Sequence, residues 1–415
     1  MNDKTKQNKF KERQQRLSLG QFFTDKREVQ FMISLMSNSG KILEPSCGDG
    51  AFIKSMNGEI TAIELDEKVA PPSAQIMDFF DYDVSNKFST IIGNPPYVAN
   101  SKILESTRAK LKGYSTWSGK TNLSTLFIEK CLEHLEDDGE LIFIVPSVFL
   151  KATSCKNLNK KMFNQGTITH LALYGDFSPF GTEAAPEHET CIFRFEKNNF
   201  NRETKIFHFD KNNKQLNFKC NKSYFVDDDG ISFFFKDTNG LKNLSKIRDY
   251  FEIKVGGVSG WDAFYVDEVR GNKDYVYSKT RQSGKTRRMI DEENPTEWLK
   301  FFEHDLRQRR IKKEWSDNDW WKWGRPQPKS SGKRVYVNSK TRVSNPFFYH
   351  ECENYDGSVL AIFFKDQNMN PVKVVEMLNS FDWESYSMKV GNRYIFKPKV
   401  LQNCYISKKQ IESCY

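Results

Sequence analysis

The chain has 415 residues, with 63 Lys and Arg against 54 Asp and Glu, a net charge of +9. At roughly 150 residues per domain, that length holds two to three domains. The longest apolar run, Leu141 to Leu150, is cut by Pro146 and falls far short of the ~20 residues that span a bilayer, so no membrane partner is expected.

Residues 1–19 begin with a polar, basic stretch lacking an apolar core, and read as a flexible arm without a signal peptide. Val29, Met32, Ile33 and Met36 recur at helical spacing over Lys26 to Ser37, with Thr24 or Asp25 as the cap. Lys41 to Glu44 is a short strand, a Gly-bearing loop follows, and Ala51 to Met56 opens a helix. Ile60 to Leu65, Ala74 to Met77 and Phe88 to Ile92 read as further strands. Asn122 to Leu135 is a helix with Leu123, Leu126, Phe127, Cys131 and Leu135 on one face. Leu141 to Val145, Ile168 to Tyr174 and Thr190 to Phe195 complete the strands. Strands alternating with helices predict an α/β sheet with parallel strands. After about Asp237 aromatics, turns and charge dominate, which places a domain boundary there.

Eight cysteines form no CxxC pair, and no histidine stands at zinc-ligand spacing. Scattered thiols predict a reducing cytoplasm and no metal. The charge is unevenly placed: Gly271 to Arg342 holds 19 Lys and Arg against 10 Asp and Glu, the whole excess, and five of the eight tryptophans. Cations interleaved with aromatics suit a polyanion with stackable bases, or a solvated basic face over a Trp-rich core.

The loop EPSCGDG, Glu44 to Gly50, sits where sheets of this class bind ligands, at the carboxyl end of a strand. Gly48 and Gly50 permit a sharp bend. Glu64, twenty residues after Glu44, can accept hydrogen bonds from ribose hydroxyls. Ile53 stands where a dinucleotide fingerprint needs its third glycine, which favours a nucleoside cofactor over NAD or FAD. The stretch GYSTWSGKT, Gly113 to Thr121, imitates a phosphate loop, but has five residues between its glycines where four are required. In NPPY, Asn94 to Tyr97, a strand stops on an asparagine held by two prolines beside an aromatic ring.

The motifs together resemble the gamma group of adenine-N6 DNA methyltransferases of the restriction-modification, NPPY class. In chain order, GQFFTDKREVQFMISLM, ILEPSCGDG, AIELD and DFF are similar to motifs X, I, II and III. NPPY, NLSTLFIEKCLEHL, DGELIFIVP and ETCIFRF follow as motifs IV, V, VI and VIII. The resemblance covers most of Gly20 to Phe195; beyond it only the layout is similar. It implies a Rossmann-like catalytic domain over 20–238, binding S-adenosyl-L-methionine, and an irregular α+β target-recognition domain over 239–415. The implied activity is methylation of the N6 amine of a flipped-out adenine in double-stranded DNA. A cognate restriction endonuclease would act on the same site without a stable complex, and the protein would be a monomer.

Residue by residue, the resemblance assigns Thr24, Glu44, Cys47, Gly48, Gly50, Glu64, Asp78, Phe79 and Asn94 to the cofactor pocket. Asn94 and the Pro95 carbonyl would accept hydrogen bonds from the target amine, drawing its nitrogen toward sp3. Tyr97 would stack on the flipped base, with Phe180 or Phe177 on the other face. Lys285, Arg287, Arg288, Arg307, Arg309, Arg310 and Arg325 are expected on DNA, and Trp321 as a wedge or as core. Cytosine-C5 chemistry needs a Pro-Cys nucleophile, whereas Cys47 follows Ser46. Cytosine-N4 enzymes typically carry Ser where Asn94 stands. The rival readings are the same NPPY chemistry on a protein glutamine or on ribosomal RNA, and, from another class, a non-catalytic DNA-binding subunit.

Overall fold

The computed structural model describes residues 24–174, 190–210, 214–236, 244–311, 314–328, 331–384, 386, 388–390 and 393–415. It forms two compact units, Met1–Thr238 and Asn239–Tyr415.

The first unit opens with α1 (Lys26–Ser34), whose Val29 and Met32 are buried against the sheet. The strands follow as β1 (Ile42–Glu44), β2 (Ile60–Glu64), β3 (Gln75–Ile76), β4 (Phe88–Gly93) and β5 (Leu135–Pro146). Then come β6 (Gly166–Tyr174), β7 (Thr190–Lys197), β8 (Glu203–Asp210), β9 (Gln215–Val226) and β10 (Ser232–Phe235). Among the described residues they make one sheet in the order β10-β9-β8-β6-β7-β5-β4-β1-β2-β3. From β3 to β5 every pairing is parallel. Strand β4 is buried along its whole length, as a central parallel strand with both faces covered must be.

The expected all-parallel pattern ends at β5. Strand β7 runs antiparallel between β5 and β6, and β8 to β10 extend the sheet. The helix expected over Ala51 to Met56 is only a single 3-10 turn, Ile53–Ser55, because Asn57 and Gly58 end it. Helix α2 (Leu123–His134) is capped by Asn122, whose side chain accepts from the Ser124 amide at 3.1 Å. It delivers the chain directly into β5.

Buried Glu140 clamps this end of the sheet. Its carboxylate accepts from the amides of Ser37 and Asn38 (both 3.0 Å), the Thr90 hydroxyl (2.9 Å) and Arg194 Nε (2.7 Å). One side chain thereby joins the chain after α1 to β4, β5 and β7.

The second unit is built around an antiparallel sheet in the order Phe251–Val255, Val359–Phe364, Arg334–Asn338, Phe347–Phe348. A second core gathers Tyr265, Tyr275, Leu299, Leu306, Trp320 and Trp323, with Trp298, Trp315 and Trp321 partly buried around it. The tryptophans of the basic segment are therefore largely a core.

Candidate active site

Strands β1 and β2 are neighbours, and the chain then returns to the other side of β1 as β4. That reversal opens a crevice at the carboxyl ends of the strands. Their last residues, Glu44, Glu64 and Gly93, bring the loops EPSCGDG and NPPY together. A cavity of about 290 Å³ lies between these loops, at the lower end of the ~300–1,000 Å³ range of small-molecule sites. Its walls include Thr24, Glu44, Cys47, Gly48, Glu64, Asp78, Phe79 and Asn94. Gly50 stands at φ +79° with Pro71 close by, a conformation strained for any side chain.

Two wall carboxylates are held by the protein itself. Glu64 accepts from the amides of Gly48 (2.8 Å), Leu65 (3.0 Å) and Asp66 (2.9 Å). Asp78 accepts from the Phe80 amide (3.0 Å), the Thr107 hydroxyl (2.7 Å) and Lys110 Nζ (3.0 Å). A carboxylate offers about four acceptor positions, so each retains room for one more donor.

Glu44 differs. It is 1% exposed, and its Oε2 is buried with no hydrogen-bond partner among the described residues. Burial, then the charge of Glu64, raises its pKa well above the usual carboxylate range. Burial, followed by Glu44 and Glu64, also pushes the Cys47 thiol up to about 12, so it stands as a neutral wall.

Phe79 is buried against Phe127, with ring centroids 5.0 Å apart. Lys130 Nζ lies 4.8 Å from the centre of the Phe79 ring and donates to the carbonyls of Phe79 (2.6 Å) and Tyr82 (2.8 Å). Burial lowers its pKa to about 8. The sequence reading missed this lysine. Its only signal was a cation one position from the apolar face of α2.

In NPPY, Asn94 Nδ2 donates to Thr24 Oγ1 at 3.1 Å. Asp25 occupies the N-cap position of α1 but makes no side-chain cap, so neither Thr24 nor Asp25 caps the helix as expected. The Ser46 hydroxyl donates to the Asn94 carbonyl at 3.3 Å, tying the two loops. Pro96 lines the cavity and Pro95 is buried. Tyr97 points elsewhere: its ring packs against the cluster that includes Val29, Ile144 and Tyr174, and its hydroxyl donates to the Ile144 carbonyl at 2.9 Å.

The sequence model of the Eco57I restriction-modification methylase family matches residues 8–180. The Type II methyltransferase M.HincII of Haemophilus influenzae is 34% identical over 177 residues, 40% of this chain and 35% of that protein. The Type II methyltransferase M.TthHB8I of Thermus thermophilus is 31% identical over 182 residues, 39% of this chain and 42% of that protein. The chain thus spans roughly a third to two-fifths of these relatives. In fold, it is similar to the type IIL restriction-modification enzyme MmeI, solved in complex with DNA. The TM-score is 0.62 at 11% identity, over 91% of this chain and 64% of that one.

The Eco57I family match contains every cofactor-pocket residue named from sequence, together with NPPY. Phe180 and its rival Phe177 lie outside the described residues. The expected DNA-contacting cations fall in the second unit, and three need correction. Arg309 is buried; its guanidinium donates to the carbonyls of Ser259, Leu306, Trp320 and Lys322 and stacks 3.9 Å from the Trp315 ring centre. It is a scaffold residue and cannot reach a phosphate. Arg287 bridges Asp262 (2.8 Å) and buried Asp356 (2.6 Å), and Arg307 is paired with Glu303 and Asp317 (both 2.6 Å). Their charge is largely neutralised. Lys285, Arg288, Arg310 and Arg325 are exposed. Trp321 is half-buried, donating its indole N–H to the Glu293 carbonyl at 3.1 Å, and so belongs with the core.

Proposed function

We propose that this protein methylates the N6 amine of an adenine flipped out of a specific double-stranded DNA sequence, using S-adenosyl-L-methionine. In a restriction-modification system this would shield the site from a cognate endonuclease. The observation that carries the reading is the Asn94 amide, oriented by Thr24 in a proline-fixed turn beside an acidic, nucleoside-sized cavity. The family match and the names of the Type II methyltransferase relatives support methylation within restriction-modification.

The residues present fit the cofactor. The last acceptor position of Glu64 suits a ribose hydroxyl, and that of Asp78 suits an adenine amine, with Phe79 alongside as a stacking surface. Glu44, with an orphaned buried oxygen, suits the positive charge of the methionine portion. S-Adenosylmethionine, when bound, supplies a methyl group already activated by its sulfonium charge. The protein's task is then the acceptor. The amide oxygen of Asn94 and the carbonyl of Pro95 accept the two amine hydrogens, freeing the nitrogen lone pair from conjugation with the ring. The prolines hold both oxygens in place, so little orientational freedom is lost at reaction. The stacking role that the resemblance gives Tyr97 would use whichever part of its ring is left uncovered, since one side packs in the core and its hydroxyl is pinned to Ile144.

Sequencing the methylome of a methylation-deficient bacterium expressing the chain tests this reading. N6-methyladenine at one recurring sequence is expected. Modified cytosine, or methylated protein glutamine or ribosomal RNA with unmarked DNA, would overturn it.

A further inference from the structure

Three basic stretches far apart in sequence meet at one loop of the second unit. The loop Gly256–Trp261 is held on every side. Val258 exchanges backbone hydrogen bonds with Arg325 (2.8 and 3.0 Å), and Arg325 Nη2 donates to the Gly256 carbonyl at 3.1 Å. The Ser259 carbonyl accepts from buried Arg309, and its hydroxyl donates to Asp262 at 2.6 Å. Gly257 lies so close to Trp323, and Gly260 to Ile311, that a Cβ would stand 2.8 and 2.9 Å from those side chains. This fixed loop ends in Trp261, which is 42% exposed and rests edge-on upon Phe264 with ring centroids 4.8 Å apart.

The charge around it is positive. Arg325 pairs with the loop itself, and Arg310 adjoins the Ile311 that seats Gly260. Arg287 bridges both nearby carboxylates, Asp262 and Asp356, and exposed Lys285 stands two residues before it. An aromatic ring on a rigid support, beside Lys285, Arg310 and Arg325, which outnumber the single charge that Arg287 leaves on Asp262 and Asp356, complements a polyanion with stacked bases. Ordering such a loop at binding would cost little, because it is already ordered.

We infer that the Gly256–Trp261 loop is a DNA-contacting edge of the second unit, with Trp261 packing on base pairs while Arg310 and Arg325 hold phosphates. This rests on the DNA reading above. The test is fluorescence anisotropy of the full chain on a labelled duplex, titrated over a range of salt. Trp261→Ala should weaken binding about five- to one-hundred-fold, as loss of a base-stacking ring does elsewhere. Trp261→Phe should retain most of the affinity. Arg310→Gln and Arg325→Gln should each flatten the log–log salt slope by about 1. A wild type that binds duplex while Trp261→Ala stays within twofold of it, with unchanged slopes in the arginine variants, would overturn this surface alone. A wild type with no duplex affinity, or with preference for single-stranded RNA, would overturn the DNA reading with it.

Discussion

Thr24 Oγ1 accepts a hydrogen bond from Asn94 Nδ2 at 3.1 Å, joining the residue just before α1 to the turn that ends β4. An asparagine amide has two nearly isosteric ends, and only its oxygen can accept from an amine. With Thr24 accepting from the nitrogen end, the oxygen end of Asn94 is left for the amine.

Replacing Thr24 tests that dependence. Thr24→Val removes the acceptor at nearly constant shape and should lower kcat roughly five- to tenfold, the worth of about one neutral hydrogen bond. Thr24→Ser should restore most of the rate. Steady-state kinetics separate the roles: a rise confined to KM for S-adenosylmethionine would make Thr24 a cofactor contact only.

Glu44 should make the protein's stability depend on pH. Its carboxyl binds a proton more tightly folded than unfolded, because burial and Glu64 disfavour its charge. Stability should accordingly fall as pH rises above the ordinary value of 4.5, and keep falling until the raised pKa is passed. Glu44→Gln should flatten this dependence and raise the Tm of the ligand-free protein at pH 8 by about 2–4 °C per kcal/mol of relief. The same variant should bind S-adenosylmethionine roughly tenfold more weakly or worse, since a charge-assisted contact is lost. Thermal melts at pH 6 and pH 8, with and without cofactor, read both effects; a variant unchanged in both would remove Glu44 from the account.

The Glu140–Arg194 pair is buried and shared among four segments, so breaking it should be costly. Arg194→Met leaves the Glu140 carboxylate without its cation and should destabilise the first unit by ~3–5 kcal/mol. The double variant Glu140→Leu/Arg194→Met should lose less than the sum of the two single losses. Urea unfolding of the four proteins gives the coupling directly. Additive losses would mean that the pair is not the clamp inferred from its geometry.

Local chemistry explains what the sequence disclosed. The strand ends at Glu44 and Glu64 and the turn NPPY are written in adjacent residues, where glycine and proline dictate backbone shape. The cofactor cavity followed from them because strand order alone brings those ends together. Strands β8 to β10 were not legible: Glu203–Asp210 and Gln215–Val226 mix exposed polar positions with half-buried aromatics, and their pairing is set by a sheet edge far away in sequence. Lys130 and Arg309 were hidden for a related reason. A long cation reads as solvent-facing, yet each here is buried by backbone carbonyls that only the folded chain assembles. Arg309 thus misled the reading of the basic segment, where charge counts cannot separate a scaffold residue from a free one.

The central claim is that Asn94 activates an adenine amine. It is tested most directly by tritiated methyl transfer to mixed genomic DNA, with the nucleosides separated afterwards, for wild type and Asn94→Ala. The account predicts label in N6-methyladenine for the wild type. It predicts a rate lower by ~10²–10³ for Asn94→Ala, as for loss of one preorganised polar group, with cofactor and duplex affinities changed far less. Label in cytosine, or an Asn94→Ala enzyme turning over at near the wild-type rate, would contradict it.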